Sequence, residues 1–429
     1  MQQFLYAVSE LPMPSSRFHS AGALASVIVL FVMFAPCTSA QTLHDFMEAA
    51  AARNPELAGL SGRREAIGAR QYAADALTPG APTFSGGYMT DQVLQNRQQR
   101  EAQIGISTPI WLPGEGTASR RVADAEFSRS SAQTAAIKLK IAGQVRDSLA
   151  VFALAQAELA VAERRLRDAR SLEGDVGRRA RAREASEADA LLGRAERIAA
   201  DGELRDRRMA LEQSKIDFQS LTGMLPVAAA MNEPAPTNAN ANADANADAV
   251  ASQAGHPRLE DAKGAIDVAR ANQALAAIQV RDSPEIGLIA RRNRDIYGTV
   301  FDNSVGIELR IPFAADARNR PRQTAAQAEF TEASAGYAAA KREIGTEQQK
   351  ARIGYENSLA QRDLARERMR VLGQQSALVG RGYQGGQISL FDYVRVRAVA
   401  YEAEGAGARA EIGVVQARSR LNQAFGIIP

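Results

Sequence analysis

Between Ser304 and Phe313 the chain alternates without a break. Val305, Ile307, Leu309, Ile311 and Phe313 are apolar, and Ser304, Gly306, Glu308, Arg310 and Pro312 stand between them. A period of two predicts a strand with one wholly apolar face and one that is mostly polar or charged. Earlier in the chain Ile104, Ile106 and Ile110 stand against Gln103, Gly105 and Ser107 in the same way. Weaker companion strands are expected near 81–93, where Phe84 and Tyr88 share a face, and near 284–292, where Ile286, Leu288 and Ala290 do. A half-buried antiparallel sheet fits this pattern. So does a transmembrane barrel, whose strands of about ten residues are apolar outside and polar inside.

After each strand pair the period changes. Val145, Phe152, Leu159 and Leu166 recur every seven residues, with Leu149 between the first two. This is half of a coiled-coil seam. The other half decays at Gln156 and Glu163, while the alanines around the seam let helices approach closely. Helices are predicted over about 118–170 and 321–378, each on the order of 80–90 Å long. That is too long for a compact domain, and a coiled-coil rod is one explanation.

The chain also repeats itself. Ser186, Asp189 and Ala195 in "ASEADALLGRA" match Ser389, Asp392 and Ala398 in "ISLFDYVRVRA", 203 residues on. Asn54-Pro55 matches His256-Pro257, "IGIS" at Ile104 matches "VGIE" at Val305, Phe127 matches Phe330, and Gly223 matches Gly426, all near the same offset. Five motifs in one order define two copies of one unit, 41–224 and 255–429. Each copy reads helix, strand, strand, very long helix, shorter helix. Between them, 225–254 includes "EPAPTNANANADANADAVASQ", a low-complexity stretch expected to be a solvated, mobile linker.

Composition adds limits. Hydrophobic residues are 45% of the chain, but alanine supplies much of this and aromatics are only 6%, thin for a large globular core. Net charge is +3, which does not mark the chain as a nucleic-acid binder. Residues 21–35 form an apolar run preceded by Arg17 and followed by Thr38-Ser39-Ala40. This suits a secretory signal over 1–40, starting at Met1 or Met13, better than a spanning helix of roughly 20 residues. The only cysteine, Cys37, lies in this signal after Pro36, which favours cleavage over lipidation and leaves a mature chain without disulfides.

No catalytic constellation is present. The mature chain has two histidines, His44 and His256, in different copies. His256 stands where Asn54 stands in the other copy, which suggests a helix start and not a ligand. A high-affinity soft-metal site is not expected from so few His and no Cys. "GYQGGQ" lacks the Lys and Ser/Thr of a phosphate-binding loop. No cofactor is expected, and energy must come from a partner.

An open sheet edge cannot face lipid, and four strands are too few to close a barrel, which needs about eight. If these strands span a membrane, several chains must share one barrel, and three would supply twelve strands. On these motifs the mature chain resembles the TolC-like outer membrane efflux family. The stretch "TPIWLPGEG" is most similar to its heavy-metal, or cobalt–zinc–cadmium, branch.

The resemblance implies a fold that is mostly α with membrane β. A homotrimer forms a twelve-stranded outer membrane β-barrel, continued by a periplasmic α-helical barrel. It implies an exit duct of a tripartite pump, working with a periplasmic adaptor and an inner-membrane pump, and no enzyme activity. Ile104, Ile106, Ile110, Val305, Ile307, Leu309 and Ile311 would face lipid. In the family the S-x-x-D segment starts the helix that turns back from the periplasmic tip, so Asp189 and Asp392 of three chains would ring a constriction. Arg179, Arg181, Arg183, Ser186, Gly386 and Ser389 would meet the adaptor. Ser and Asp also suit a helix start chemically, so plain capping is the competing reading. Arg183 stands where the second copy has Gly386, a departure from the pattern. A type I protein-secretion duct and a periplasmic coiled-coil scaffold without a barrel are the alternative functions.

Overall fold

The computed structural model describes residues 41–93, 99–236, 255–296, 298–313 and 316–429. The expected signal, with Cys37, and residues 237–254 of the expected linker lie outside them.

The first copy opens with two helices where the repeat predicts one. Helix α1 spans Leu43–Arg53 and α2 spans Pro55–Ala74. Asn54 divides them. Its Oδ1 accepts from the backbone amides of Glu56 and Leu57 at 2.9 and 3.3 Å, and Pro55 takes the first helical position, where a missing N–H costs nothing. The second copy has a single helix here, α5 at Pro257–Ile278. His256 caps it, its Nδ1 accepting from the Arg258 amide at 3.3 Å.

Strands β1 (Thr83–Thr90), β2 (Arg100–Pro109), β3 (Glu285–Arg294) and β4 (Asp302–Arg310) form one antiparallel sheet in chain order. The central pairing, β2 with β3, joins the two copies. The outer edges of β1 and β4 have no strand partner among the described residues.

Two helices dominate the molecule. Helix α3 runs Glu115–Arg181 over 67 residues, and α6 runs Asp316–Gln384 over 69. Each spans on the order of 100 Å. Both exceed the expected ranges. Gly174 and Gly177 do not end α3, because Leu172 and Val176 between and before them are buried in a cluster with Leu390. Packing there outweighs the roughly 1 kcal/mol that a mid-helix glycine costs. Helix α6 begins five residues ahead of Pro321, where 321 is the expected start. The return helices are α4 (Glu187–Thr222) and α7 (Leu390–Ala424). Among the described residues no helix is long and apolar enough to cross a membrane.

The seam that fades in the sequence is completed by alanine. Val145, Leu149, Phe152 and Leu166 are buried, while Gln156 is exposed. The second half of the heptad is carried by Ala155, Ala162, Ala169 and Val176, each seven residues from the last and each buried. Around the upper seam, Phe46 meets Phe218 edge to face at 5.0 Å, with Met47, Ile141 and Leu211 beside them.

The expected linker divides in two. Residues 225–236 pack against both copies. Met231 is buried in the same core, and Glu233 forms a two-pronged ion pair with buried Arg146 at 2.8 and 2.6 Å. Ser419 and Asn422 of α7 also donate to Glu233, at 3.1 and 3.0 Å. Burial pushes the Glu233 carboxyl up, and the bonds from Arg146, Asn422 and Ser419 outweigh it, holding the group below its ordinary range.

Candidate functional site

Two regions carry candidate function, the sheet and the helix tips. In the sheet the register settles which side chains share a face. Phe84 pairs with Ile106, Ile106 with Leu288 and Leu288 with Ile307; Ala290 pairs with Ile104 and Val305, and Ile286 with Leu309. The expected apolar positions of all four strands therefore fall on one face, with Met89 and Ile289 on the other. That face is open: Val305, Ile307 and Leu309 are 81%, 75% and 59% exposed. None of the described residues covers it. Ile110 and Ile311 each lie one residue past a strand end, though the Ile110 amide still bonds the Pro284 carbonyl at 2.7 Å. The opposite face is polar. Arg291 pairs there with Glu101 at 2.9 Å, and Arg310 with Glu285 at 3.6 Å.

The tips lie at the far end of α3 and α6. Both S-x-x-D motifs are helix caps. Ser186 Oγ accepts from the Asp189 amide at 3.1 Å, and Asp189 Oδ2 accepts in return from the Ser186 amide at 3.2 Å and hydroxyl at 2.7 Å. Ser389 Oγ accepts from the Asp392 amide at 3.1 Å and donates to Asp392 Oδ2 at 2.8 Å. Asp392 also lies 3.8 Å from Arg395.

The turns before these caps have one geometry in both copies. Arg183 has φ +62° and Gly386 has φ +71°. In each, an amide just beyond reaches back to the helix: Glu184 to Arg179 O at 2.8 Å, and Gln387 to Gly382 O at 2.9 Å. Arg183 thus holds a conformation that its counterpart, glycine, adopts freely.

The tip arginines differ in their commitments. Arg179 pairs with Asp175 at 3.2 Å and lies over the Tyr383 ring at 5.3 Å, so it is held within the chain. Arg181 and Arg183 are exposed and have no ion-pair partner among the described residues. The structure brings the two tips together, with Leu172 and Val176 of α3 packed on Leu390, Tyr383 and Tyr393.

A second set of residues behind the tips is not anticipated by the motifs. Arg397 donates to Tyr393 Oη at 3.2 Å and to Tyr401 Oη, and it pairs with Asp168 at 3.2 Å. Tyr401 in turn donates to Asp168. Tyr383 stacks on Tyr393 at 5.0 Å, nearly parallel. Burial, then the Asp168 carboxylate, push the Tyr401 phenol well above its ordinary range, so it stays protonated. This latch ties α3 of the first copy to α7 of the second. It borders a polar cavity of about 770 Å³ that Asp175, Arg178 and Arg381 also line. Its signal in the sequence is Tyr393, Arg397 and Tyr401, four residues apart on one face of α7.

A four-stranded sheet with an exposed apolar face, mounted on paired helices of about 100 Å, is a fold also seen in solved outer membrane channels. VceC, an outer membrane protein of Vibrio cholerae, superposes with a TM-score of 0.69 at 15% identity, covering 90% of this chain and 96% of that one. CusC gives 0.72 at 16%, covering 90% and 92%, and the open-state MtrE outer membrane channel of Neisseria gonorrhoeae gives 0.67 at 17%, covering 90% and 89%. Residues 250–427, most of the second copy with the end of the stretch before it, match the model of the outer membrane efflux protein family. No curated protein matches the chain by sequence.

Proposed function

We propose that this chain is the outer membrane exit duct of a tripartite efflux pump. Three copies supply twelve strands to one barrel, and their helices continue the cylinder into the periplasm. One observation carries the reading. The register gathers most of the apolar strand residues, all but Met89 and Ile289, on one exposed face, while the sheet keeps two edges without a strand partner among the described residues. Lipid covers such a face at no cost, and only neighbouring copies can satisfy such edges inside a bilayer. Helix α6 supports the same assembly. Ile353, Leu364 and Leu378 are exposed along it, and its buried residues are few: Asn319, Ala326, Ile344 and Gln348.

Within this reading the tips are the gated end. The Asp168–Arg397–Tyr401 latch holds the helix pairs closed, and Asp189 and Asp392 line the constriction while capping their helices. Arg181 and Arg183 offer an adaptor an unpaired basic surface. An inner-membrane pump supplies energy, and the duct is passive. Heavy-metal cations are the proposed cargo, because a duct for cations needs a polar, acid-lined passage and no chelating site. The type I secretion duct shares this fold, while the scaffold without a barrel does not explain the uncovered apolar face.

Detergent extraction from the outer membrane should yield a heat-stable trimer that forms single channels in planar bilayers. Deleting the gene should sensitise cells to heavy-metal cations. A chain recovered without detergent as a soluble species overturns the barrel. Unchanged metal and drug sensitivity together with loss of a secreted protein overturns the efflux assignment in favour of secretion.

A further inference from the structure

The two copies meet along α3 and α7, and four ion pairs cross this seam in one antiparallel register. Asp147 pairs with Arg420 at 3.7 Å, Glu158 with Arg409 at 3.1 Å, Arg164 with Glu404 at 3.5 Å and Asp168 with Arg397 at 3.2 Å. Glu158 differs from the other acids. It is the least exposed of them, at 15%, and its second oxygen accepts from Arg207 of α4 at 2.6 Å. One carboxylate thus ties α3 to both α4 and α7.

The seam changes character at Glu158. On the side away from the tips it is dry. Ile412 and Val415 of α7 pack there on the core that holds Val145, Leu149 and Phe152 of α3, and the buried Arg146–Glu233 pair closes it. Toward the tips it is polar. The buried cluster of that span, Ala162, Leu166 and Ala169 with Ala200 and Leu204, is built from α3 and α4 alone. Two cavities with charged walls lie against α7 instead, about 240 Å³ beside Glu158 and Arg409 and about 770 Å³ beside Asp168 and Arg397. Apolar contact across the seam returns at the tips, where Leu172 and Val176 meet Leu390. The helices also differ in stiffness at this level. Helix α7 carries Gly405 and Gly407 within the turn on the tipward side of Arg409, whereas α3 has no glycine between Gly143 and Gly174. Helix α6 reaches Gly407 through Met369 and has its own glycine, Gly373, one turn closer to the tip. Glycine weakens a helix interior, and bends gather at such positions.

We propose that the fold contains a hinge at this level and that Glu158 is its pivot. The α6–α7 pair bends at Gly373, Gly405 and Gly407 and swings off the α3–α4 pair. The polar seam parts from the tips up to Glu158, and the dry seam beyond it stays shut. Parting exposed ion pairs exchanges them for hydrated charges at little cost. Parting the dry span would instead expose apolar surface and separate a buried ion pair. The moving arm of α7, Leu390 to Gly405, is about 22 Å long, so a bend of about 15° displaces its end by about 6 Å. The inference rests on the gated-duct reading above, in which the tips open.

The test records single channels of the purified full-length protein in planar bilayers. Cys37, the one native cysteine, is replaced by serine throughout, and Tyr401→Phe weakens the latch. Two cysteine pairs are bridged in turn with a short bismaleimide. Arg164→Cys with Glu404→Cys lies tipward of the pivot, and Asp147→Cys with Arg420→Cys lies beyond it. The tipward bridge should cut the open fraction about tenfold or more, and the far bridge should leave it within about twofold. Gly405→Ala, whose methyl group would meet nothing nearer than 3.5 Å, stiffens the helix and should lower the open-to-closed ratio about fivefold. Glu404→Gln removes a pair that breaks on opening and should raise the ratio about threefold. Glu158→Gln should lower the thermal midpoint yet leave the ratio unchanged, because its two bonds persist in both states. Should that variant not assemble, Arg409→Lys takes its place with the same expectation. The proposal is overturned if the two bridges act alike, if Gly405→Ala leaves the ratio unchanged, or if Glu158→Gln shifts it more than Glu404→Gln does. A protein that forms no channels, or a Tyr401→Phe variant that opens no more than wild type, sinks the gated-duct reading. Channels that open and ignore the position of the bridge sink only the hinge.

Discussion

Replacing Arg183 with glycine should stabilise the first tip, and replacing Gly386 with alanine should weaken the second by a similar amount. Both residues hold the left-handed backbone, at φ +62° and +71°. For a residue with a Cβ that conformation costs about 1–2 kcal/mol. Glycine avoids this cost but gains about 0.4–1 kcal/mol of extra freedom in the open chain. The difference leaves roughly 0.5–1 kcal/mol in favour of glycine at either position. A methyl group at Gly386 would meet nothing within 4 Å, so its penalty is backbone strain alone. Amide exchange reads this directly. The Glu184 and Gln387 amides close their turns onto Arg179 O and Gly382 O, and their protection reports local opening. In R183G the Glu184 amide should exchange about two- to fivefold more slowly, and in G386A the Gln387 amide faster by a similar factor. The reasoning is refuted if R183G exchanges faster or unchanged while G386A is silent, since the two turns would then not share one backbone geometry.

Four further outcomes are expected. Leu309→Arg should lower barrel stability by roughly 2–4 kcal/mol near mid-bilayer, while Glu308→Gln assembles normally; heat-stable trimer on gels reads both, and the reverse result shows the facing is inverted. The double Asp189→Asn, Asp392→Asn protein should fold, because asparagine also caps, but lose cation selectivity in planar bilayers; unchanged selectivity leaves the motif purely structural. Burial, chiefly, holds the His256 imidazole below its ordinary value of 6.5. Its neutral form therefore contributes stability that is complete above that value and is lost as pH falls through the depressed folded value. Melting of wild type against His256→Asn, which copies Asn54, should show this acid slope only in wild type. Glu233→Leu should cost about 3–5 kcal/mol by leaving Arg146 charged in the core without its carboxylate, seen as a lower thermal midpoint; an unchanged midpoint shows the pair is dispensable.

Strand β4 was legible in the sequence because its alternation has no exception from Ser304 to Phe313. Strand β1 was faint because Gly86 and Gly87 replace side chains in mid-strand, and only pairing with β2 shows that the face of Phe84 and Tyr88 is also that of Ile104 and Ile106. The S-x-x-D motifs were legible as helix starts because capping is local. The latch was not, since Tyr401 and Asp168 meet across 233 residues and no local pattern links them. Glu233 was hidden by its neighbours, as a charged residue beside a run of Ala, Asn and Pro reads as solvated until Arg146 is seen to reach it. The alanine half of the seam escaped notice because alanine is common throughout the chain, and only burial separates Ala155, Ala162 and Ala169 from the rest.

The unpaired outer edges of β1 and β4 have a genetic consequence. In the proposed assembly a ring would close only when each β4 edge finds a β1 edge on the next copy, so every subunit would be needed at two joints. A chain with proline in mid-β4, able to fold its helices but not to pair, would therefore spoil any ring that it enters. When such a chain is made in equal amount with the normal one, about one ring in eight escapes it in a three-subunit assembly. Edge-strand variants should accordingly act as dominant negatives, while core variants that merely unfold should be recessive.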